Sequence, residues 1–563
     1  MLNLDDRGQP LKFQTAVAGP YRVQWMNADG DELIKLVETS ETLEPVMFCS
    51  RTPTYYNRVV KEKWNSDALR MAGHLRDPAT EVLRRVRGTA GGDRLFVEYN
   101  VSTSTASLSL INILFNATVS EDSTFGTLDL TDFYLGTPLP SPSFVKIMTE
   151  TFPSSVLSRL NLHRFIQRDL SGKAFVYFKI NKTMYGLREA GLLSNQQVVS
   201  LLLSWGFIET DTPCLFRHVT RNIAFGLVVD DFGVKYTDPA DFKYLVECLA
   251  SKYHVKVHPI ATSFLGMTLH HDRTHRTFTV SYPGYIDSLL ARLRPNGIKP
   301  AASPFIYTPP SYGSKVPQKP LVDISPLATP QQKKELEIVI GYLLYYGRVV
   351  DSRFLPATGF LSSYQSAPTS KNMRAMERLL QYASSHRHGC KVYRPSDMLL
   401  KPLTDASFNS RPKGASTAGS FHFLGIASDP SFYNAPISCH STRIPVVCSS
   451  IMEAEYGGVY AAARIATTER QILNSLGYPQ PPTPLFCDNE VAVELANNNI
   501  TPKYSKSICL RFHWIQDRVR QGQFIAVHIP GSTNLADFFT KPLPVIRHLA
   551  LAPFIATDLP TVS

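Results

Sequence analysis

The sequence predicts a multidomain protein that combines α+β and α/β folds, and three observations support this prediction. The chain has 563 residues, too many for one hydrophobic core, which suggests roughly two to four domains. Strand-like and helix-like stretches alternate over residues 81–300 and again from residue 398, a pattern typical of sheets backed by helices. A proline-rich stretch at 296–330 lies between these parts and predicts a linker or an extended crossing segment.

Composition and charge narrow the class of protein. Hydrophobic residues make up 44% of the chain and aromatic residues 11%, which indicates a folded protein and excludes a disordered one. The formal net charge is +11, which favours a polyanionic partner such as nucleic acid. The eight cysteines lack zinc-binding spacing, so we expect buried thiols in a reducing compartment. Because no apolar signal core and no run of about 18 apolar residues is present, we expect a soluble intracellular protein without a membrane partner.

The elements of the first half follow from the spacing of apolar residues. Residues 31–39 have helical spacing, 52–64 are predicted to be extended, and 124–135 predict a strand that leads into a turn or helix. Helices are predicted at 188–207 and at 238–255, the second with Asp238 and Pro239 at its start. Between these helices, CLFRHV (214–219) and IAFGLVV (223–229) predict two strands around a short polar break.

The second half begins with helices, predicted at 331–350 and 370–386, and ends with a new α/β unit. In that unit, MLLKPLTDASF (398–408) predicts a strand that ends in an acid, and 419–427 and 436–445 predict two more strands. Residues 449–477 predict a long helix that ends in glycine. Residues 484–498 predict a strand, a turn and a helix, and 523–539 predict a strand, a loop and a helix.

Three carboxylates of the first half are candidates for metal binding. Asp129 ends an apolar strand, and Asp230 and Asp231 are adjacent between two strands. Taken alone, two acids between strands predict a hairpin turn, and this interpretation remains open. Adjacent carboxylates near a core are costly to keep ionised unless a cation binds them. Carboxylates on neighbouring strand ends can bind two Mg²⁺ ions about 3.5–4 Å apart, as in polymerases.

Four acids of the second half form another candidate site: Asp405, Glu455, Asp488 and Asp537. Each lies at a predicted strand end or on a predicted helix that can face the sheet. Four acids so placed suit two metal ions and hydrolysis of a phosphodiester, since one ion can activate water and the other can stabilise the leaving oxygen. Glu453 is an alternative to Glu455 as the metal ligand. Residues i and i+2 of a helix point about 200° apart, so the two carboxylates lie on different faces of the helix.

The ordered motifs of the first half resemble the reverse transcriptases of copia-type long-terminal-repeat retrotransposons. The segment STSTASLSLINILFNATVS (102–120) is similar to the one before the first catalytic block, and TLDLTDFYLGTPLPSPSFVKI (127–147) resembles that block, with Asp129 as metal ligand. MYGLREAGLLSNQ (184–196) resembles the block that contacts the nascent base pair, and VVDD (228–231) resembles the block with Asp230 and Asp231. Residues 339–354 are similar to a helix beyond the thumb.

The resemblance also implies four substrate-binding residues. Tyr134 matches the bulky side chain that blocks a ribose 2′-hydroxyl, and Arg87, in RVRGTAGGDRL (85–95), matches a basic residue that binds the triphosphate. For Arg87, an ordinary surface arginine is the alternative. Gly266 belongs to SFLGMTLHHD (263–272), which resembles the primer-grip block. Glu189 replaces the glutamine usual in the family, so it is expected to place an unfavourable negative charge near the phosphates.

The second half is similar to the ribonuclease H of the same elements. The pieces that carry this resemblance are LTDAS (403–407), EAEYGGVY (453–460), FCDNE (486–490) and NLADFFTKPL (534–543). The small and apolar residues after Glu455 match the family's helix better than those after Glu453. His513 recurs in the family, although packing is an alternative role, and the helix with Arg511, Arg518 and Arg520 is a candidate for phosphate contacts.

The resemblance implies a right-hand polymerase followed by a ribonuclease H-like α/β domain. We predict fingers and palm at 1–280, thumb and connection at 281–397, ribonuclease H at 398–548 and a tail at 549–563. The implied activities are RNA- and DNA-directed DNA synthesis and cleavage of RNA in RNA–DNA hybrids. Each site would use two Mg²⁺ ions, with Mn²⁺ as a substitute. The implied partners are an RNA template, a DNA primer, the hybrid and deoxynucleoside triphosphates.

Two rival interpretations of function remain. One is a decayed relic that binds nucleic acid without turnover, which Glu189, the divergent fingers and the lack of integrase motifs motivate. In the other, only the ribonuclease H is active. We expect either a fragment of a polyprotein or a remnant of a decayed element. The resemblance implies a cytoplasmic, virus-like-particle location, with the nucleus as the alternative, and the oligomeric state is not predicted.

Overall fold

A computed structural model describes residues 11–64, 82–95, 99–307, 323–498 and 509–559. Part of the predicted proline-rich linker, residues 308–322, lies outside these described residues. Within them, the chain alternates helices and strands throughout and contains four sheets. The predicted fold class, a multidomain protein of α+β and α/β character, is confirmed.

The strands of the described residues are numbered in chain order. They are β1 (Leu43–Val46), β2 (Thr54–Trp64), β3 (Val82–Ala90), β4 (Thr124–Thr131), β5 (Pro138–Met148), β6 (Gln167–Arg168), β7 (Ala174–Lys182), β8 (Phe207–Glu209), β9 (Leu215–His218), β10 (Ile223–Val228), β11 (Asp231–Tyr236), β12 (His254–His258), β13 (Ser263–Phe264), β14 (Met267–Asp272), β15 (Thr277–Ser281), β16 (Gly389–Tyr393), β17 (Leu399–Arg411), β18 (Ala415–Gly425), β19 (Ser438–Arg443), β20 (Thr483–Cys487), β21 (Phe524–His528) and β22 (Thr557–Asp558).

The α-helices are numbered in the same way. They are α1 (Phe13–Ala18), α2 (Arg22–Ile34), α3 (Leu108–Ser120), α4 (Ser154–Arg159), α5 (Ala190–Ser204), α6 (Pro239–Ala250), α7 (Tyr285–Leu293), α8 (Pro330–Val349), α9 (Leu355–Ser362), α10 (Ser370–Ser385), α11 (Ile451–Ser475), α12 (Glu490–Ala496), α13 (Cys509–Arg520) and α14 (Val545–Ile555). Short 3₁₀ or π turns occur at Lys35–Thr39, Gly92–Arg94, Phe133–Gly136, Leu162–Arg164, Ser352–Phe354, Pro412–Gly414 and Leu535–Phe539.

The chain divides into two compact units. The first comprises 1–104, 129–207 and 245–256, and the second comprises 105–128, 208–244 and 257–563. The strand orders of the four sheets are β1-β7-β5-β2-β3 with β6 beside β7, β12-β4-β11-β10-β9-β8, β13-β14-β15-β16-β22 and β19-β18-β17-β20-β21. The predicted boundaries of fingers, palm, thumb and ribonuclease H remain predictions.

The core of the first unit lies beneath its β1-β7-β5-β2-β3 sheet. Val145 and Ile147 of β5 and Val176, Phe178 and Ile180 of β7 are completely buried there. Their alternation in sequence is the period of two that a sheet with one buried face requires. Arg87 lies on β3 of this sheet, Tyr134 lies in the turn before β5, and Glu189 lies between β7 and α5.

The β19-β18-β17-β20-β21 sheet of the second unit has helices on both faces. Antiparallel pairing joins β17 to β18 and β18 to β19, whereas β17, β20 and β21 are parallel. Phe421 and Phe423 of β18 pack toward Phe538 and Ile555 on one face, and Ala406, Ala418 and Ala454 pack together on the other. This mixed, doubly covered sheet is the α/β unit that the sequence predicted from residue 398 onward.

Two local predictions differ from the structure. The strand expected to end near Asp405 continues to Arg411, because it forms a long hairpin with β18 across the turn at Pro412–Gly414. The helix expected around Asp537 is a single 3₁₀ turn, Leu535–Phe539. Among the described residues, no helix is long and apolar enough to cross a membrane.

His548 of α14 makes a testable contribution to stability. The imidazole is buried, stacks on Phe538 with ring centroids 4.9 Å apart and lies 3.1 Å from the Tyr382 hydroxyl. Burial, reinforced by the charges of His386 and Arg353, lowers the pKa of His548 to about 4. Protonation is therefore easier in the unfolded chain, whose histidine pKa is about 6.5. Stability should fall as the pH drops from 6.5 toward 4, by up to about 3 kcal/mol.

Scanning calorimetry between pH 7.5 and 4 measures this effect. The His548→Phe variant should lose less melting temperature over that range than the unchanged chain. His258→Phe removes an exposed histidine of the same unit and should keep the original pH profile. Identical profiles for the His548 variant and the unchanged chain would contradict the prediction.

Candidate active sites

The four predicted carboxylates of the second half converge in the second unit. Oxygens of Asp405, Asp488 and Asp537 lie within 4.8 Å of one another. A Glu455 oxygen, the Cys487 sulfur and an Asp488 oxygen form a second group within the same limit. Asp488 belongs to both groups and is therefore the centre of this carboxylate cluster. The cluster has the composition and spacing of a site for divalent cations, which prefer oxygen ligands.

Strand register places Asp405 beside Asp488. In the parallel pair, Thr404 of β17 lies opposite Cys487, the last residue of β20. Asp405 follows Thr404 and Asp488 follows Cys487, so the two carboxylates lie at the same level of the sheet. Cys487 is completely buried, which fixes the end of β20 beneath the cluster. The position of the two carboxylates thus follows from pairing between strands that are far apart in sequence.

The N-terminus of α11 places Glu455 and separates it from Glu453. Ser450 is the N-cap of this helix, and its hydroxyl accepts a hydrogen bond from the Glu453 N–H at 3.1 Å. The Glu453 carboxylate turns back and accepts two hydrogen bonds of 2.5 Å from Ser449. Glu455 instead accepts a hydrogen bond from the Ala406 N–H at 3.2 Å. The structure thus gives Glu453 a capping role and brings Glu455 to the cluster.

A glycine allows α11 to approach β17 closely. A Cβ atom at Gly458 would lie 3.0 Å from the Asp405 carbonyl oxygen, closer than almost all real contacts. Any larger residue would push the helix away from the strand. The Gly457-Gly458 pair after Glu455 therefore contributes to the short distance between the helix carboxylate and the sheet carboxylates.

Asn534 holds the turn that carries Asp537. Its side-chain oxygen accepts a hydrogen bond from the Ala536 N–H at 3.0 Å, which starts the 3₁₀ turn. Its side-chain nitrogen donates to the Thr404 carbonyl at 3.0 Å. Since Thr404 precedes Asp405, this one buried side chain fastens the Asp537 turn to the strand of Asp405.

The sequence analysis missed two residues of the cluster, Thr540 and Lys541. The Thr540 hydroxyl donates a hydrogen bond to Asp405. The Lys541 ammonium lies 2.7 Å from an Asp537 oxygen and 3.6 Å from an Asp405 oxygen. Both belong to the motif NLADFFTKPL, so the resemblance contained the signal, but only the acid was selected from it.

Burial and mutual repulsion make the cluster hard to ionise. Burial, partly offset by Lys541, raises the pKa of Asp405 to about 7. Burial, together with the charges of Asp405 and Asp488, raises the pKa of Glu455 to about 8. Burial and then the charge of Asp537 raise the pKa of Asp488 as well. A divalent cation would relieve this repulsion and favour the ionised forms, so the donor set fits such an ion.

The carboxylates of the first half lie in different units. Asp129, in β4, belongs to the first unit and forms an ion pair of 2.7 Å with Lys256 of that unit. Asp230 and Asp231 belong to the second unit. The convergence of these three acids around metal ions remains a prediction. Lys256 was not predicted, and an isolated lysine in the alternating stretch HVKVH gives no sequence signal for this pairing.

Asp230 and Asp231 lie at a tight hairpin. Val228 at the end of β10 pairs with Asp231 at the start of β11, so only Val229 and Asp230 form the loop. Val229 has a φ of 60°, which is rare for a β-branched residue. Such backbone strain costs roughly 1–3 kcal/mol and is found mainly at functional sites. The expected hairpin is present, and its two-residue loop itself requires the positive φ at Val229.

Three side chains form a stack on the first unit. The Arg87 guanidinium lies over the Tyr185 ring at 4.0 Å, and the Tyr134 ring meets Tyr185 edge-on at 5.0 Å. Gly186, with φ +93°, follows Tyr185 and lets the backbone there lie against that of Ala90. A Cβ at this position would lie 2.0 Å from the Ala90 carbonyl oxygen. The structure thus links the predicted nucleotide-binding residues Arg87 and Tyr134 through Tyr185, which the sequence analysis did not single out.

Glu189 lines a cavity of about 360 Å³ on the first unit. Its carboxylate accepts a hydrogen bond from the Tyr99 hydroxyl at 2.8 Å. Arg51, Arg94 and Arg188 line the same cavity, so the surroundings of Glu189 are basic. The unfavourable charge expected of Glu189 is therefore placed among cations, which reduces its repulsion of a phosphate.

Replacing Glu189 with glutamine should strengthen binding of deoxynucleoside triphosphates. The substitution keeps the shape of the side chain and raises the net charge of the cavity by one. We expect KM to fall about 2–10-fold, which corresponds to roughly 0.4–1.4 kcal/mol. Steady-state incorporation on poly(rA)/oligo(dT) measures KM, with the exposed Glu150→Gln as matched control. An unchanged KM would show that Glu189 does not face the nucleotide.

Gly266 lies in the tight turn between β13 and β14. Leu265 and Gly266 both have positive φ, of 48° and 82°, and a Cβ at Gly266 would lie 2.6 Å from the Tyr282 hydroxyl oxygen. The glycine is thus required by the turn itself. Its predicted contact with a primer remains a prediction.

Comparison with known proteins finds a family match and several relatives. Residues 96–307 match the family described as Reverse transcriptase (RNA-dependent DNA polymerase). The Pol polyprotein of transposon TNT 1-94 from Nicotiana tabacum is 26% identical over 67% of this chain and 28% of its own length. That of transposon RE1 from Arabidopsis thaliana is 28% identical over 65% of this chain and 24% of its own length. The chain thus spans about a quarter of the length of these relatives.

A solved structure is also similar. The foamy viral protease-reverse transcriptase, in complex with double-stranded DNA, is 12% identical, with a TM-score of 0.48 over 91% of this chain and 69% of that one.

The family match identifies the class: residues 96–307 are similar to reverse transcriptases. More particularly, the chain is similar to the Pol polyproteins of plant transposons, and the resemblance stated from the sequence is confirmed.

Proposed function

We propose that this chain is an RNA- and DNA-directed DNA polymerase that also cleaves the RNA strand of RNA–DNA hybrids. The observation that supports this most strongly is the convergence of Asp405, Glu455, Asp488 and Asp537 in the second unit. Four scattered acids have no structural reason to meet at one place, because their mutual repulsion is destabilising. A cation-dependent reaction on a phosphodiester supplies that reason.

In the proposed hybrid cleavage, the four carboxylates would hold the metal ions. Two Mg²⁺ ions, which Mn²⁺ can replace, would supply activation of water and stabilisation of the leaving 3′-oxygen. The buried β17–β20 pair and the Asn534 hydrogen bonds keep the carboxylates in place before substrate binds. Lys541 reduces the negative charge that a phosphate must approach, since its ammonium bridges Asp405 and Asp537.

In the proposed polymerase, Asp129, Asp230 and Asp231 would hold the metal ions of DNA synthesis. Arg87 binds the triphosphate of the incoming nucleotide, and Tyr134 excludes a ribose 2′-hydroxyl. Tyr185 positions both, because it lies between the guanidinium and the Tyr134 ring. The template is RNA or DNA, the primer is DNA, and the chain acts in the cytoplasm within a particle or in the nucleus.

The second candidate function is that of a decayed element that binds nucleic acid without turnover, and Glu189 was the main reason to consider it. The basic cavity around Glu189 weakens that reason, because three arginines offset the charge of the glutamate. The retention of all seven proposed metal ligands also argues against decay.

Two assays test the proposal on the purified chain. Incorporation of deoxynucleotides on poly(rA)/oligo(dT) tests the polymerase, and cleavage of a labelled RNA–DNA hybrid tests the nuclease. We expect both activities in Mg²⁺. No incorporation in either Mg²⁺ or Mn²⁺ would support the relic, and cleavage without incorporation would support a chain in which only the nuclease is active.

A further inference from the structure

One part of the carboxylate cluster contains a sulfur atom. An oxygen of Glu455, the Sγ atom of Cys487 and an oxygen of Asp488 all lie within 4.8 Å of one another. We call these three residues the mixed-ligand group. The other group, formed by Asp405, Asp488 and Asp537, contains only oxygens. The spacing of the cysteines in the sequence gave no sign of the mixed-ligand group, because two of its three ligands are acids.

The chemistry of these ligands selects a different cation from the one proposed for catalysis. Mg²⁺ takes oxygen ligands in octahedral geometry, so a thiol is a poor ligand for it. Zn²⁺ takes four ligands and accepts both thiolate sulfur and carboxylate oxygen, with bonds of about 2.0–2.3 Å. One sulfur and two oxygens leave the fourth position of a tetrahedral zinc ion for water. Ligand atoms within 4.8 Å of one another can surround such an ion after a small movement of their side chains.

The three side chains of the mixed-ligand group are held in place by the fold. Cys487 is completely buried at the end of β20 and forms no disulfide. Its sulfur accepts a hydrogen bond from the Asn489 N–H at 3.5 Å, which keeps it at the turn that carries Asp488. Glu455 is oriented by the Ala406 N–H, which donates to its carboxylate at 3.2 Å. The group is therefore largely formed before any cation binds.

A buried hydroxyl beside the mixed-ligand group lacks a partner. Thr404 is completely buried, and its Oγ1 atom has no hydrogen-bond partner among the described residues. Thr404 lies directly opposite Cys487 in the β17–β20 pair. Its Oγ1 atom would lie 3.3 Å from a Cβ atom at Gly458, so it faces α11, the helix that carries Glu455. A thiolate or a metal-bound water there would give this hydroxyl the partner that it lacks.

We propose that Glu455, Cys487 and Asp488 bind a thiophilic divalent cation of the zinc type, and that this cation blocks hybrid cleavage. On binding, the Cys487 thiol gives its proton to solvent and the sulfur forms a bond to the metal ion, without electron transfer. Glu455 and Asp488 are also proposed ligands of Mg²⁺, so the zinc ion excludes Mg²⁺ from these two acids. The inhibitory effect rests on the proposed nuclease function, whereas the metal site itself does not.

Binding of Cd²⁺ to the purified full chain tests the site without any reaction. Cadmium–thiolate bonds have a charge-transfer absorption in the ultraviolet, which is measured in a thiol-free buffer without Mg²⁺. The unchanged chain should show one equivalent of this absorption that Cys487→Ser lacks. By calorimetry, Cys487→Ser should weaken Zn²⁺ binding about 10–100-fold or more, and excess Mg²⁺ should compete with Zn²⁺ in the unchanged chain. The matched control is Cys448→Ser, since Cys448 is also buried in the second unit but belongs to no such group among the described residues.

Asp488→Asn serves as a second variant, which keeps the thiol and decides the matter if Cys487→Ser does not melt cooperatively. It should bind Cd²⁺ at least about tenfold more weakly and still show the thiolate absorption at saturation. Unchanged affinity for Cd²⁺ in this variant would overturn the proposed ligand set.

Inhibition of hybrid cleavage tests the second part of the proposal. Cleavage in Mg²⁺ is measured at increasing buffered Zn²⁺, and each variant is compared with its own rate without Zn²⁺. The concentration of Zn²⁺ that halves this rate should be about 10–100-fold higher for Cys487→Ser than for the unchanged chain or Cys448→Ser. Equal inhibition of all three would overturn the inference, and so would cadmium–thiolate absorption that Cys487→Ser retains in full.

The result is distinguishable from failure of the proposed nuclease function. If the unchanged chain does not cleave the hybrid in Mg²⁺ but binds Cd²⁺ through Cys487, the nuclease proposal falls and the metal site stands. If the chain cleaves the hybrid and Cys487→Ser binds Cd²⁺ as the unchanged chain does, the metal site falls and the nuclease proposal stands.

Discussion

Replacing Asp488 with asparagine is expected to lower hybrid cleavage on the order of 10³-fold while DNA synthesis stays within about twofold. Asp488 belongs to both groups of ligand atoms in the carboxylate cluster, so its loss affects every cation held there. Asparagine keeps the shape and one oxygen but removes the charge. A loss of about 4 kcal/mol of charge stabilisation corresponds to this factor, since about 1.4 kcal/mol is tenfold in rate.

The control is Glu490→Gln, which makes the same chemical change at an exposed residue two positions later. Cleavage of a labelled hybrid in Mg²⁺ and incorporation on poly(rA)/oligo(dT) are measured on the same preparations. Cleavage should be normal for the control. Residual cleavage above about a tenth of the original rate in Asp488→Asn would remove the carboxylate cluster from the proposed mechanism.

The second large effect is expected for Asp129→Asn, which should lower primer extension on the order of 10³-fold and leave hybrid cleavage unchanged. In the proposed polymerase this carboxylate holds the metal ions, and no other acid of its strand can replace it. The substitution also releases Lys256, whose ammonium lies 2.7 Å from the Asp129 carboxylate. An unpaired lysine would then remain where a cation is proposed to bind, which further disfavours the metal ion.

Two further variants separate these causes. Lys256→Met keeps the carboxylate and removes its partner, so we expect synthesis to be retained if Asp129 acts through metal ions. Asp31→Asn, at an exposed position of α2, controls for the loss of one negative charge on the first unit. Equal loss of synthesis in Lys256→Met and Asp129→Asn would indicate that the ion pair, and not metal binding, is the role of Asp129.

Much of the fold was predictable because the apolar spacing is regular. Helix α11 was expected at 449–477 and is observed at Ile451–Ser475, and α8 was expected at 331–350 and is observed at Pro330–Val349. In both, a hydroxyl residue accepts the capping hydrogen bond at the start, which is a local signal. Two elements near Asp405 and Asp537 differed, because the β17–β18 hairpin and the Asn534 cap depend on contacts with other segments.

The sequence by itself determined the identity of the acids and the kind of protein, because motif order and residue type are local properties. Only the tertiary structure decided between Glu453 and Glu455. The Glu453 carboxylate accepts hydrogen bonds from Ser449, whereas Glu455 lies close to Asp488 because the helix packs against the sheet. The structure alone also brought Lys541 to the carboxylates of Asp405 and Asp537. Lys541 and Asp405 are distant in sequence, and only strand pairing and helix packing place them together.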